Sequence, residues 1–263
     1  MIKNKHYPRA VIGVLFSLVL VWLIVFDFSY ERLTNSIGYA FCHQNPARSP
    51  FIGAFQFSLC FRCVGLFSGL LFGIIWQLPT RFSSKVFSKK RLCFIAICLL
   101  FYIGDSLNAS FIPGLLGLSP LYPDHEMIRF SSGYLMGMSV SMLILPLFNH
   151  LFYIEVVDKS SSMRIIIRIA GILFTGILIV ITLISGNEIL NHALNLLTVL
   201  SAGMFPTLLY TILILAIGNH ANQFETLVQG KNIWLTGLTL SFIQIGLIIS
   251  LRFAVTKSWG WPF

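Results

Sequence analysis

Seven stretches of this chain are apolar for about 20 residues each, and that leaves few folds open to it. They cover 10–28, 54–78, 92–112, 127–152, 165–185, 192–217 and 233–255. A helix of about 20 residues crosses a hydrocarbon core about 30 Å thick. Inside lipid every backbone polar group must be satisfied within the structure, and a helix does this. The pattern predicts an all-α fold, a polytopic transmembrane helical bundle of about seven spans. The first stretch follows Lys3, Lys5 and Arg9, as in a signal peptide. It has no convincing small-residue cleavage site, and its run exceeds the roughly 7–15 apolar residues of a signal-peptide core, so it reads as a retained helix.

Composition supports the membrane reading. Of 263 residues, 56% are hydrophobic and 10% charged, with a mean hydropathy of +0.84. Soluble domains carry about 25% charged residues, so the charges here are too few to coat a water-facing globule. A net charge of +9 would point to nucleic acid in a soluble protein. In a membrane protein the loop lysines and arginines set topology instead. We expect membrane lipids as partners and no nucleic acid.

The basic residues give an orientation. Lys3, Lys5 and Arg9 precede the first stretch. Arg81, Lys85, Lys89, Lys90 and Arg91 follow the second, Lys159, Arg164 and Arg168 the fourth, and Lys231 the sixth. With seven spans these fall on one side, which the positive-inside rule makes cytoplasmic. The amino terminus is then inside and the carboxy terminus outside, in a cell (inner) membrane. Lys257 lies outside and runs against the rule, so the last spans carry the weakest orientation signal. Residues 1–152 are expected to form a four-helix membrane domain and 153–263 a three-helix extension, integrated in one bundle. Gly65, Gly69 and Gly73 recur every four residues, as do Gly133, Gly137 and Ser141. Small residues at this spacing let helix backbones approach closely, so the second and fourth stretches are expected to pack tightly, on each other in the simplest case.

The orientation places an unusual group on the extracytoplasmic side: Cys42-His43 and Cys60-Phe61-Arg62-Cys63. Thiols and imidazole are ligands that hold zinc, and three cysteines with one histidine make a tetrahedral set. Cys42, His43, Cys60 and Cys63 are the expected metal ligands, with His125 as the alternative fourth. Adjacent Cys and His do not always bind one ion, so His43 is also a candidate for the outer shell. Two other chemistries fit the residues. An oxidising compartment favours a structural disulfide from Cys42 to Cys60 or Cys63. A Cys-x-x-Cys pair beside Arg62 also fits a redox dithiol, with Cys42 as its resolving partner. Cys93 and Cys98 read as small core residues.

Ionisable residues inside spans are functional candidates by default. Asp105 lies late in the third stretch, with Asn108 one turn on. Arg62 opens the second stretch and Arg129 the fourth. An Asp105 pair with Arg62 or Arg129 would neutralise both charges and tie helices together. The same residues with Arg48 form a candidate catalytic set. Its arginines suit a phosphate or anionic headgroup, and Asp105 suits acid or base work. Asp124, His125 and Glu126 offer further ligands, or simply a charged helix cap. His192 and Asn195 share a face, and His150 and His220 read as interfacial. The Asn108 sequon lies against a span and is discounted as a glycan site. Trp259 and Trp261 suit interfacial anchors.

The motifs taken together resemble a known family. Cys42-His43-Gln44-x-Pro46-x-Arg48-Ser49 is followed by Cys60-x-Arg62-Cys63-x-Gly65-x-x-x-Gly69, then Asp105-x-x-Asn108, then Arg129-x-x-Ser132-Gly133-x-x-x-Gly137. This series is similar to the prokaryotic membrane proteins grouped as domain of unknown function 2085, over about residues 36–141. Val64 and Ser132 stand where that family usually has threonine, and Asn108 where glutamine is usual. The resemblance implies a helical membrane domain with a Cys/His/Arg/Asp cluster and implies no reaction.

The leading expectation is an extracytoplasmic zinc site beside an Arg/Asp pocket, acting on a lipid or lipid-linked substrate if the protein is an enzyme. The rivals are a quinone-linked thiol–disulfide oxidoreductase using Cys60 and Cys63, a transporter, and a scaffold with a structural metal or disulfide. A transporter would show a broken helix near the midplane, for which Pro113 and Pro206 are the hints.

Overall fold

The structure, a computed structural model, describes residues 7–78, 89–111, 119–123, 125–154, 162–218 and 221–259. Among these the chain forms α1 (Tyr7–Val25), α2 (Tyr30–Phe41), α3 (Phe61–Gln77), α4 (Lys89–Ser106), α5 (Glu126–Phe152), α6 (Ser162–Ser185), α7 (Glu188–Ile217) and α8 (Lys231–Thr256). A small antiparallel hairpin, β1 (Phe51–Ile52) and β2 (Phe55–Gln56), lies between α2 and α3. A 3-10 turn at Pro46–Arg48 precedes it, and a π turn at Leu107–Phe111 closes α4. Pro113, Asp124, His220 and Trp261, with Lys3, Lys5, Arg81, Lys85 and Lys159, lie outside the described residues.

The molecule is a helical bundle, as the apolar runs predict. Four of its described helices are long and apolar enough to cross a membrane: Arg91–Ala109, Glu126–Phe152, Glu188–Ile217 and Lys231–Thr256. The pair α1 and α2 makes a fifth if counted as one bent span. Phe61–Gln77 and Ala170–Ser185 are shorter apolar helices. Only part of the expected seven-span count is met by length alone.

Two stretches depart from expectation for local reasons. The first ends at Val25, because Asp27 and Phe28 take left-handed backbone, each at φ 52°. The chain then bends by 114° into α2. The second stretch, read from 54, becomes helical only at Phe61. Gly53, at φ +56°, turns the hairpin that occupies its start, and Cys60 is the N-cap of α3.

The glycine repeats act as predicted. A Cβ on Gly65 would strike the Phe130 carbonyl, and one on Gly69 the Tyr134 carbonyl. From the other side, a Cβ on Gly133 would strike the Arg62 carbonyl and one on Gly137 the Leu66 carbonyl. The backbones of α3 and α5 therefore touch along a seam that only glycine permits. Ser141 sits where Gly73 faces it and accepts a 2.9 Å bond from Gln77 Nε2.

The later helices close around this pair. Ser201 of α7 donates to the Phe67 carbonyl of α3 at 2.8 Å. Tyr134 of α5 donates to the Ile172 carbonyl of α6 at 2.7 Å. Ser241 of α8 reaches the Gly203 carbonyl of α7 at 3.1 Å, and α1 lies against α8. Pro206 lies inside α7, which runs unbroken from Glu188 to Ile217.

Candidate metal centre

Three thiols meet where α2 ends and α3 begins. Cys42 is the C-cap of α2, and its φ of −134° and ψ of 150° turn the chain out of the helix. Cys60 caps α3, and Cys63 follows in the first turn. Their Sγ atoms all lie within 4.8 Å of one another, and the three can hold a metal ion. All three are free thiols. The Cys42 sulfur accepts two backbone N–H groups, from Gln44 at 3.4 Å and Cys60 at 3.2 Å. Donors aimed at one sulfur favour its thiolate. Against them, hydrogen bonding with the Cys60 sulfur and then burial push the Cys42 thiol up to about 12. A cation among the three sulfurs would reverse that balance, because a coordinating thiol is deprotonated.

The loop that delivers Cys42 is held at every step. Gln44 sits at φ 56° and is buried. Its amide donates to the Asn35 carbonyl at 3.0 Å and the Ser58 carbonyl at 3.1 Å. Gln56 donates back to the Gln44 carbonyl at 2.8 Å. Asn195 of α7 accepts the Ser58 N–H at 3.1 Å, and His192 stacks on Phe55. His192 and Asn195 thus brace the hairpin from α7.

The expected fourth ligands do not join the sulfurs. Among the described residues the group of convergent ligand atoms is Cys42, Cys60 and Cys63. His43 is exposed. Extended backbone at Cys42 explains this, because successive side chains on extended chain point to opposite sides. His125 is the N-cap of α5, and its Nδ1 accepts the Met127 N–H at 3.2 Å.

Arg62 stands between the two cysteines of the Cys-x-x-Cys pair. Its Nε and Nη2 both donate to Oδ2 of Asp105, Nε at 2.9 Å. Asp105 is 3% exposed and also accepts from Ser132 at 3.0 Å and Tyr122 at 3.1 Å. Sequence offered Arg62 or Arg129 as the partner of Asp105; the structure pairs it with Arg62, which joins α3 to α4, and Ser132 ties in α5. Arg62 also lies 5.8 Å from the Tyr102 ring centroid. Arg129 is buried one turn before Ser132. Arg48 donates to the Ala109 carbonyl at 2.9 Å. Asn108 is 1% exposed and binds the Tyr122 carbonyl and the Leu121 N–H, which sets Tyr122 over Asp105. Its engaged amide leaves the sequon no role as a glycan acceptor.

Sequence reading missed Arg252. From α8 its guanidinium donates to the carbonyls of Tyr39, Cys42 (2.6 Å) and His43 (3.3 Å), and it lies 4.0 Å over the Tyr39 ring. It satisfies carbonyls that the end of α2 leaves open. An arginine inside the last apolar stretch was the available signal.

These features define an integral membrane protein of several helices with a three-thiol group, Cys42 buried and Cys60 and Cys63 half-buried, at one end of its central helix pair. Residues 42–143 match the family described as "Predicted membrane protein (DUF2085)", beginning at Cys42. That is the family the motifs resemble. An uncharacterized protein of Methanocaldococcus jannaschii is 30% identical over 113 residues, which are 43% of this chain and 66% of the relative. No solved structure matches the chain. Arg252, His192 and Asn195 lie beyond the matched segment.

Proposed function

We propose that Cys42, Cys60 and Cys63 hold one zinc ion on the extracytoplasmic side of the cell membrane. The observation that carries this is the convergence of three free sulfurs within 4.8 Å, one of them under two backbone N–H donors. A disulfide needs two thiols, and the third is then surplus. Zinc with three protein ligands keeps a fourth position for water or substrate. When bound, the metal supplies a polarised oxygen for attack or for substrate activation. The substrate class we infer is a lipid or lipid-linked molecule at headgroup level. Arg48 and Arg129 stand near the same end and suit its phosphate. Asp105 accepts from Arg62, Ser132 and Tyr122 together. It therefore acts as a positioning residue that holds Arg62 beside the thiols.

A second reading, a quinone-linked dithiol at Cys60 and Cys63, is favoured by the charge of Arg62, the residue between them in sequence, which favours a thiolate at Cys60. Metal analysis with thiol counting on the purified full chain separates the two. One zinc per chain, lost in Cys42→Ser and Cys60→Ser, is the expected result. A metal-free protein with a Cys60–Cys63 disulfide that cycles with quinone would overturn the zinc reading. Placement is tested with Ala54→Cys at the hairpin tip. A membrane-impermeant maleimide should label it on intact cells, and labelling only after lysis contradicts the outer placement.

A further inference from the structure

A cleft on the other flank of α2 shares no lining residue with the thiol group. It has two parts. A cavity of about 600 Å³ runs between α1, α7 and α8, walled by side chains such as Leu18, Trp22, Leu200, Phe242, Ile249 and Phe253. Pockets that take small ligands measure about 300–1,000 Å³ and are mostly apolar. A second cavity of about 390 Å³ shares Val25, Phe26 and Trp259 with the first. It adds Arg32, Asn35, Ser36 and Tyr39. The apolar bore thus opens into a polar mouth, and Trp259 stands at the junction, where tryptophan suits a membrane interface.

Two glycines in the bore point to an occupant. Gly203 of α7 and Gly246 of α8 both line it, and neither has any neighbour within 4 Å of where a Cβ would stand. At Gly65, Gly69, Gly133 and Gly137 a neighbouring backbone requires the missing side chain. At Gly203 and Gly246 no protein atom does, although glycine costs a helix stability. Small residues there keep the bore open.

We propose that this cleft binds one membrane phospholipid, with an acyl chain in the bore and the phosphate at the mouth. The surroundings of a membrane bundle are lipid, and the order of the two parts is that of an amphiphile. Arg32 supplies the cation for the phosphate. Its guanidinium pairs with Asp27, so the mouth carries little excess charge and does not demand an anionic lipid. The proposal stands independently of the zinc centre.

The test uses the full chain in phosphatidylcholine vesicles containing a phosphatidylcholine with a photoactivatable acyl chain. Adducts mapped by mass spectrometry should concentrate on the α1 and α8 faces of the bore. They should be lost in Gly203→Leu and Gly246→Leu, which fill the bore with the better helix former. Both variants should elute as the parent does in size exclusion and unfold in detergent at a similar temperature, which shows that they fold. Adducts spread equally over exposed Ile97 and Leu100 of α4 and Ile177 and Ile181 of α6 in the parent chain would overturn the proposal. So would undiminished bore labelling in both leucine variants.

Discussion

At the scale of single residues, the Arg62–Asp105 pair is the clearest case of charge placed at a cost. Removing one partner leaves the other charged and buried. We expect Asp105→Ala to destabilise the protein by about 3–5 kcal/mol, as for broken buried pairs. Replacing both, as Arg62→Met with Asp105→Leu, should cost far less than the two single changes added. Denaturation of the purified chain in detergent, run as a double-mutant cycle, measures this. Additive losses would remove the pair from the account. A pair at Asp105 was legible in sequence because Asp105, Arg62 and Arg129 are ionisable groups in apolar stretches, but which arginine it would take was not. The three thiols were legible from spacing: Cys-x-x-Cys on a helix puts two sulfurs on one side, and a third cysteine lies in the preceding loop. The fate of His43 was not legible. It depends on the extended backbone at Cys42, and residue type does not reveal that. Gln44 was equally hidden, since its left-handed backbone and two carbonyl contacts exist only once the loop has folded over Ser58.

At the scale of elements, the contact of α3 with α5 decides where the site stands. Both cysteines of the pair and Arg62 lie at the start of α3, and Ser132 and Arg129 lie on the facing end of α5. A Cβ at Gly69 or Gly137 would meet backbone rather than a movable side chain. Gly69→Leu and Gly137→Leu should therefore separate the helices and destabilise the chain by more than the roughly 1–3 kcal/mol of ordinary overpacking. Gly203→Ala, with open space at its Cβ, should be neutral or stabilising by up to about 1 kcal/mol. Thermal unfolding of the three variants side by side checks the contrast, and equal effects would contradict it. The seam was legible because small residues every four positions have few other uses in a membrane helix. The start of α3 was not, because residues 54–60 are apolar enough to read as helix while the hairpin turn at Gly53 draws them into a loop. Nor was α2, whose buried side is made of Thr34, Ser36, Gly38 and Tyr39 and carries no long apolar run.

At the scale of the whole molecule, the thiol group is assembled by parts distant in sequence. α8 enters the site through Arg252, which is 210 residues from the Cys42 carbonyl it binds. Periodicity and motif spacing do not reach across such a separation, which is why Arg252 was missed. Arg252→Leu should leave the three sulfurs in place yet loosen the end of α2. A loss of zinc affinity of about 10–100-fold is expected, as for other residues that support a ligand without touching the metal. Competition with a chelator of known affinity measures it, and an unchanged affinity would show that α8 is only a neighbour. Zinc affinity should also rise with pH in the same assay, because the metal displaces protons from the thiols. The most direct test of the metal centre is the zinc-edge X-ray absorption spectrum of the purified full chain. A bound zinc with three sulfur neighbours at about 2.3 Å and one lighter atom is the expected result. A shell of nitrogen and oxygen alone, or a protein that binds no zinc while its thiols are free, would contradict it.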